Sequence, residues 1–216
     1  MNAAEGSALA GCRLYAILDL GYVAPEDAAA VAAQLIEGGA DLIQLRGKEQ
    51  TIAELTRRAE QIHGLTSHAG IPLIINDHAR IAREVAAEGL HLGQDDLSIA
   101  SAREILEREC WIGKSTHSVA QAVAAEAEGA DYIGFGPLFA TPTKPDYRPT
   151  GTRDLRRLHE LVRIPIFCIG GIKLHNLPEI LAAGAKRVVI VSGLLQSADI
   201  AGATRAARGI LGKSEI

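Results

Sequence analysis

The chain alternates short runs of apolar, β-branched residues with longer alanine-rich segments. Short, almost wholly apolar runs are typical of parallel strands that are buried on both faces. The segments between them have the apolar spacing of amphipathic helices. The pattern therefore predicts eight strands, each followed by a helix, with the strands at residues 13–20, 41–46, 72–76, 90–94, 111–115, 132–136, 165–169 and 187–192.

Eight such βα units in about 200 residues predict an α/β fold, a single (β/α)8 TIM barrel. The alternative is a doubly wound open sheet, which should carry a G-x-G-x-x-G turn after its first strand. Residues 19–25 contain no such turn, which favours the barrel. Glycines recur where helices should end and strands begin, at Gly38, Gly39, Gly89, Gly129 and Gly184.

We expect residues 1–11 to be a disordered lead-in and residues 12–216 to form the barrel domain.

The amino-acid composition argues against nucleic acid and anionic membranes as binding partners. The 216 residues carry a net charge of −4, whereas a nucleic-acid or anionic-membrane partner would require a basic surface. No apolar run reaches the length of a membrane span. Cys12, Cys110 and Cys168 are far apart and lack CxxC spacing, which predicts reduced thiols in a cytoplasmic protein. Whether the chain forms a homo-oligomer is left open.

Polar residues gather at the carboxyl ends of the predicted strands, where barrel enzymes place their catalytic groups. At strand 2, Gln44, Arg46 and Lys48 share one inward stripe, because side chains alternate along a strand. Two inward cations are costly unless an anion neutralises them, so the stripe predicts an anion site. A basic rim screened by water is the alternative.

Asp77 and Asp96 follow the adjacent strands 3 and 4. Neighbouring strands lie about 4.8 Å apart, and two carboxylates at that distance repel each other unless a cation lies between them. One or two carboxylates with substrate phosphates are a typical Mg²⁺ site. The alternative is that both residues cap helices, and spacing alone does not separate Asp96 from Asp95.

Strands 7 and 8 end in glycine-containing turns, at 170–171 and 191–193. Such turns let backbone N–H groups approach a ligand, and this end of a barrel often binds phosphate. The sequence predicts a second, neutral anion site here, with ordinary tight turns as the alternative. The positions of His78 and His117 at strand ends would permit acid–base chemistry, but a rim histidine without a catalytic role is the more common case.

The strand ends also carry a set of short motifs. They are QLRGK at 44–48, ND at 76–77, HLGQDD at 91–96, GKSTHS at 113–118, GFGP at 134–137, TPTK at 141–144, IGGI at 169–172 and VSG at 191–193. In this order and at these places they resemble the thiamine phosphate synthase family, over about residues 13–195. Lys114 departs from the family pattern, which favours a small apolar residue before Ser115, and Gly47 stands where the family often has an acidic residue.

The resemblance implies a transferase of thiamine biosynthesis on a TIM barrel. It would join hydroxymethylpyrimidine diphosphate to thiazole phosphate, giving thiamine phosphate and diphosphate by a dissociative, Mg²⁺-assisted substitution. Residues 139–152 would form a lid. The implied site residues are Gln44 for the pyrimidine, Arg46, Lys48, Asn76, Ser115 and Lys144 for the diphosphate, Asp77 and Asp96 for Mg²⁺, and Thr141, Thr143, Gly171, Val191 and Ser192 for the thiazole phosphate.

Three other activities remain as alternatives. A thiazole tautomerase of the same fold would use an acid–base residue such as His117 and would not need the anion site on strands 2 to 4. A non-catalytic thiamine-phosphate-binding protein would differ only in lacking turnover. A barrel isomerase of phosphorylated sugars fits the paired carboxylates poorly.

Overall fold

The computed structural model describes residues 9–141 and 148–212. Its eight parallel strands close into a barrel in chain order, with β1 paired to both β2 and β8. This confirms the predicted (β/α)8 barrel and excludes the open sheet. The strands are β1 Leu14–Asp19, β2 Leu42–Arg46, β3 Leu73–Asn76, β4 Gly89–Leu92, β5 Trp111–Thr116, β6 Tyr132–Phe135, β7 Ile166–Cys168 and β8 Val188–Ile190.

Helices follow the strands and cover the barrel from outside. A 3-10 turn, Pro25–Asp27, precedes the first of them. They are α1 Ala28–Glu37, α2 Ile52–Ala69, α3 Ala79–Glu84, α4 Ile99–Leu106, α5 Val119–Ala127, α6 Leu155–Leu161, α7 Leu177–Ala182, α8 Ser192–Leu195 and α9 Ile200–Gly212.

The predicted strand bounds hold to within two residues, and the largest differences are at the ends of β4 and β8, which stop two residues earlier than predicted. Gly129 and Gly184 have φ values of 91° and 110°, so they end their helices in the left-handed conformation, as predicted. Gly89 differs, because it lies inside β4. A Cβ at this position would lie 2.2 Å from Ile74 Cδ1, so glycine is needed there for space.

Two apolar layers hold the fold together. The larger layer lies between strands and helices and includes Ile43 and Leu45, as the predicted alternation along β2 requires. The smaller layer fills the barrel interior near the amino ends of the strands, where Tyr15, Tyr132 and Phe167 meet edge to face, with ring centroids 5.4–6.0 Å apart. Trp111 packs against this interior layer from the end of the barrel.

The start of the described chain closes the amino end of the barrel. Residues 9–11 form a helical turn, and Leu9 is only 2% exposed within the interior layer. Arg187 donates a hydrogen bond to the carbonyl of Ala10 at 2.7 Å. The predicted disordered lead-in therefore does not extend to residues 9–11, while the rest of it lies outside the described residues. No described helix combines the length and hydropathy that a membrane span requires.

Candidate active site

A cavity of about 390 Å³ opens at the carboxyl ends of the strands, above the interior aromatic layer. Every predicted site residue that the structure describes lines it. Thr143 and Lys144 lie outside the described residues. The predicted residues on the cavity wall are Gln44, Arg46, Lys48, Asn76, Asp77, Asp96, Ser115, Thr141, Gly171, Val191 and Ser192.

The cations of β2 already have carboxylate partners within the protein. Arg46 Nη1 lies 2.5 Å from Asp19 Oδ2, and Asp19 is 2% exposed at the end of β1. Lys48 forms an ion pair with Asp77. The inward cations are thus neutralised in part without a ligand, which corrects the assumption that only a bound anion could do so. A guanidinium has five N–H donors, so Arg46 keeps donors for a ligand while bound to Asp19.

Asp77 and Asp96 face each other across the wall of the cavity, as their strand positions predicted. Asp77 has a φ of 63°, a left-handed conformation that few non-glycine residues adopt. Its N–H donates to the carbonyl of His91 at 2.8 Å, which holds the strand end in place. Asp96 accepts a hydrogen bond from the N–H of Gly93 at 2.6 Å. The main chain therefore directs both carboxyl groups toward one point.

Burial raises the pKa of Asp77, and the shared hydrogen bond with Asp96 raises it further against the opposing contact from Lys48. Burial also opposes ionisation of Asp96, but hydrogen bonds from Asp77 and the Gly93 N–H, with the charges of Lys48 and Lys114, lower its pKa. The raised pKa of Asp77 and the lowered pKa of Asp96 thus have the same origin, the contact between the two carboxyl groups.

Helix capping does not explain these two aspartates. The N-cap of α4 is Ser98, whose side chain accepts from the N–H of Ser101, so Asp96 is free of that role. The residue before α3 is His78, and it forms no side-chain cap. Both carboxylates are therefore available to a ligand. Among the described residues no third His, Cys, Asp or Glu joins them in a cluster that could hold a metal ion through the protein alone.

A chain of polar side chains runs through the interior beneath the cavity. Gln44 Nε2 donates to Tyr15 Oη at 2.6 Å, and Tyr15 Oη lies 3.1 Å from Tyr132 Oη. His91 then contacts Tyr132 Oη through Nδ1 at 3.1 Å and Ser115 Oγ through Nε2 at 3.0 Å. Gln44 and Ser115 are thereby fixed in orientation on opposite parts of the wall. Lys114 is 7% exposed and alternates with Ser115, so it faces the helices.

The predicted phosphate site at β7 and β8 has a more polar environment than the sequence indicated. Gly171 has a φ of 67°, and a Cβ there would lie 2.8 Å from the carbonyl oxygen of Ala140, so the loop after β6 packs directly on this turn. Ser192 begins α8 and is 9% exposed. Its Oγ accepts a hydrogen bond from Lys173 Nζ at 2.9 Å. The prediction of a neutral site is therefore wrong, because a lysine lies beside it.

Backbone hydrogen bonds hold both ends of the predicted lid, residues 139–152. The N–H of Leu138 donates to Ile169 at 2.8 Å, and the N–H of Thr150 donates to Pro137 at 2.8 Å. The segment thus leaves and rejoins the barrel beside the cavity. That it acts as a lid stays a prediction, since residues 142–147 lie outside the described part of the chain.

Sequence reasoning missed three polar residues of this region: Asp19, His91 and Lys173. Asp19 lies next to the end of the first predicted strand and is the last residue of β1. An acidic residue there, one strand away from Arg46, was the signal that could have identified it. His91 belongs to a quoted motif, but its inward direction follows only from the strand register. Lys173 gave no signal, because its contact with Ser192 joins two separate loops.

Over most of its length the chain is similar to proteins of one family. The family model described as thiamine monophosphate synthase matches residues 14–194. The chain is 43% identical to the thiamine-phosphate synthase of Halalkalibacterium halodurans over 88% of this chain and 90% of that protein. It is 40% identical to that of Shouchella clausii, over 90% and 93%. A solved structure, thiamine phosphate pyrophosphorylase from Pyrococcus furiosus, is 33% identical with a TM-score of 0.86, over 94% and 96%. The chain belongs to the thiamine monophosphate synthase family.

Proposed function

We propose that this protein joins hydroxymethylpyrimidine diphosphate to thiazole phosphate, giving thiamine phosphate and diphosphate. The relatives above are named for this synthase activity. The observation that carries the proposal is one cavity with two anion-binding regions. A carboxylate pair with Arg46 and Lys48 lies on β2 to β4, and a turn with Gly171 and Ser192 lies on β7 and β8. A reaction between a diphosphate and a phosphate ester requires that arrangement.

The diphosphate would bind to the region on β2 to β4. Arg46 presents its remaining N–H donors there, Lys48 supplies a mobile ammonium, and Asn76, 9% exposed, adds an amide. Ser115 would donate its hydroxyl, and Lys144 of the predicted lid would cover the group from above. Positive charge and fixed donors around a departing diphosphate stabilise the charge that develops on it.

Asp77 and Asp96 are suited to hold a hard divalent cation. They are two carboxylates in contact, one with a raised pKa, and Lys48 forms an ion pair with Asp77. Oxygen ligands of this kind are what Mg²⁺ selects. When bound there, Mg²⁺ would neutralise charge on the diphosphate group and so ease its departure.

The chemistry would proceed by dissociation. The bond between the pyrimidine methylene carbon and the diphosphate oxygen breaks, and its electron pair leaves with diphosphate. The thiazole nitrogen then attacks the methylene carbon with its lone pair. Gln44, fixed through its Nε2 by Tyr15, keeps its Oε1 for a donor on the pyrimidine. No group has to remove a proton, so the task of the chain is to position both substrates and to exclude water.

The thiazole phosphate would bind opposite, at Gly171, Val191 and Ser192, with Thr141 and Thr143 from the loop after β6. Gly171 allows the close approach of this loop, because a Cβ there would lie 2.7 Å from Phe139 Cβ. Residues 12–216 would serve as one catalytic domain. All three cysteines are buried. We further propose a cytoplasmic location, where such thiols stay reduced.

The alternatives are less well supported by the site. A tautomerase would rely on His117, but its Nδ1 lies 2.5 Å from the carbonyl oxygen of Gly136, so this ring nitrogen faces the main chain. A binding protein without turnover would not need a carboxylate pair beside its ligand. The paired carboxylates and cations together favour the synthase.

The test is release of diphosphate from the purified protein. We expect release only when both substrates and Mg²⁺ are present, with controls that omit each in turn. No release in any order of addition, combined with binding of thiazole phosphate, would transfer the assignment to the tautomerase or the binding protein. Release from the pyrimidine substrate alone would instead indicate hydrolysis.

A further inference from the structure

Lys173 lies in the loop between β7 and α7, next to the predicted thiazole phosphate site but outside the predicted set of residues. Its ammonium donates to Ser192 Oγ at 2.9 Å. In residues 9–141 and 148–212, no carboxylate forms an ion pair with it. A partly buried cation with no acidic partner is costly, and an anionic ligand removes that cost. The fold alone does not explain why a lysine occupies this partly buried position.

The loop around Lys173 is held in one conformation. Asn176 Oδ1 accepts from the N–H of Lys173 at 2.8 Å, while Asn176 Nδ2 donates to the carbonyl of Gly171 at 3.0 Å. One side chain therefore joins the lysine to the glycine turn that faces the cavity. Gly193 adds the space, since a Cβ there would lie 3.2 Å from Lys173 Cδ. The ammonium is positioned by the loop before any ligand arrives.

The contact with Lys173 also determines how Ser192 can act. An ammonium has only donors, so the Ser192 oxygen must be the acceptor. The hydrogen of that hydroxyl then points away from Lys173, and Ser192 lines the cavity. Ser192 is thereby set to donate into the cavity, where an anion would accept. The Lys173 ammonium therefore lies on the far side of the Ser192 oxygen from the hydrogen that this hydroxyl donates.

We propose that Lys173 makes this subsite selective for a dianionic phosphate monoester, with Ser192 as the group that touches the phosphate and Lys173 as its positioning residue. The proposal rests on the proposed function, since it takes thiazole phosphate as the ligand. It adds to that function a role for Lys173, whose charge would help to recognise the phosphate of the ligand alongside the backbone N–H groups. The thiazole alcohol, which lacks the phosphate, gains nothing from Lys173.

The test uses Lys173→Met, which keeps the length of the side chain and removes its charge, and Lys173→Arg, which keeps the charge. Lys186→Met, an exposed lysine at the opposite end of the barrel, is the matched control. We expect Lys173→Met to weaken binding of thiazole phosphate at least about tenfold by calorimetry, which corresponds to about 1.4 kcal/mol. Binding of the thiazole alcohol should be unchanged, and Lys173→Arg should restore most of the affinity for the phosphate. Equal losses for phosphate and alcohol would overturn the proposal.

Kinetics separate this role from a structural one. Lys173→Met should raise KM for thiazole phosphate while kcat and KM for the pyrimidine diphosphate remain near those of Lys186→Met. In a Ser192→Ala background the effect of Lys173→Met on thiazole phosphate binding should shrink, because the two residues act together. An undiminished effect there would contradict action through Ser192.

Inorganic phosphate keeps the test independent of the synthase activity. It should raise the melting temperature of the wild type and Lys173→Arg more than that of Lys173→Met. If the wild type shows no coupling reaction but this difference remains, the proposed function fails and the phosphate site stands. If coupling occurs and phosphate stabilises all three proteins equally, the function stands and the role of Lys173 is refuted.

Discussion

Aspartates lie at both ends of the barrel, and their partners differ. At the amino end, Asp131 accepts from the N–H of Ile112 at 2.7 Å and pairs with Arg103 at 2.5 Å. Asp41 at the same end accepts from two consecutive backbone N–H groups at 2.8 Å each. These carboxylates join neighbouring strands, and their lone pairs are occupied by the protein itself.

At the carboxyl end, Asp77 lies against another carboxylate and has Lys48 as its cation. Lys48 is half exposed, so its charge is screened by water. Aspartate thus joins strands where backbone and guanidinium donors surround it, and it keeps lone pairs for the proposed metal where another acid faces it. The number of donors that the protein supplies, rather than burial, distinguishes the two ends of the barrel.

The largest effect expected from this difference is on catalysis. Asp77→Asn should lower kcat in the synthase reaction at least about a hundredfold, or about 2.7 kcal/mol of barrier, because a proposed metal ligand loses its charge. The melting temperature without ligands should change little, since the lost ion pair with the half-exposed Lys48 is offset by the loss of a contact between two acids. Diphosphate release at saturating substrates and a thermal melt measure the two quantities.

Asp95→Asn is the matched control for that prediction. Asp95 and Asp96 are both exposed and both line the cavity, but only Asp96 contacts Asp77. Asp95 forms no ion pair with any described residue. Its substitution should change kcat by less than about fivefold. A loss in Asp95→Asn as large as that in Asp77→Asn would mean that the metal ligands have been misassigned.

The next effect is on stability at the opposite end. Asp131→Ala should lower the free energy of unfolding by about 2 kcal/mol, because the N–H of Ile112 and the guanidinium of Arg103 both lose a buried partner. Catalysis measured below the melting temperature should be retained. Chemical denaturation gives the free energy of unfolding.

Glu37→Ala provides the comparison for Asp131→Ala. Glu37 pairs with Arg205 at 3.1 Å, but both side chains are largely exposed. Exposed pairs contribute about 0–1 kcal/mol, so this variant should unfold nearly like the wild type. Equal destabilisation by the two substitutions would remove the distinction between a saturated buried carboxylate and a surface pair.

The smallest effect concerns the cysteines. Burial raises the pKa of Cys12 and of Cys110 to about 11 and that of Cys168 to about 12. At pH 8 roughly one thiol in a thousand or fewer is then a thiolate, the form that reacts. Iodoacetamide should leave all three unmodified in the folded protein by mass spectrometry and modify all three in denaturant. Rapid modification of a native thiol would show that its surroundings open.

The fold and most of the site wall were predictable because they depend on local pattern. Apolar runs identify the strands, and closing the barrel brings the ends of β2 to β5 to one rim. Gln44, Arg46 and Asp77 follow from that rule, whereas the choice of Asp96 over Asp95 and the identity of the substrates come from the family resemblance. The roles of these residues stay predictions.

The remainder depended on contacts between distant segments. The partnership of Arg46 with Asp19 requires the pairing of β1 with β2, and that of Lys173 with Ser192 requires two loops to meet. The order of residues 9–11 depends on a pocket at the amino end that receives Leu9. The spacing of apolar residues along the chain does not predict these contacts, since each one joins side chains from different elements.

Trp111 has a consequence for how this protein can be observed. It is the sole tryptophan, and it packs at the amino end of the barrel, away from the carboxyl rim that faces the cavity. Its fluorescence therefore reports whether the amino end of the barrel is folded. An emission spectrum that does not change during a substrate titration would say nothing about occupancy of the site, whereas the same signal would follow denaturation closely.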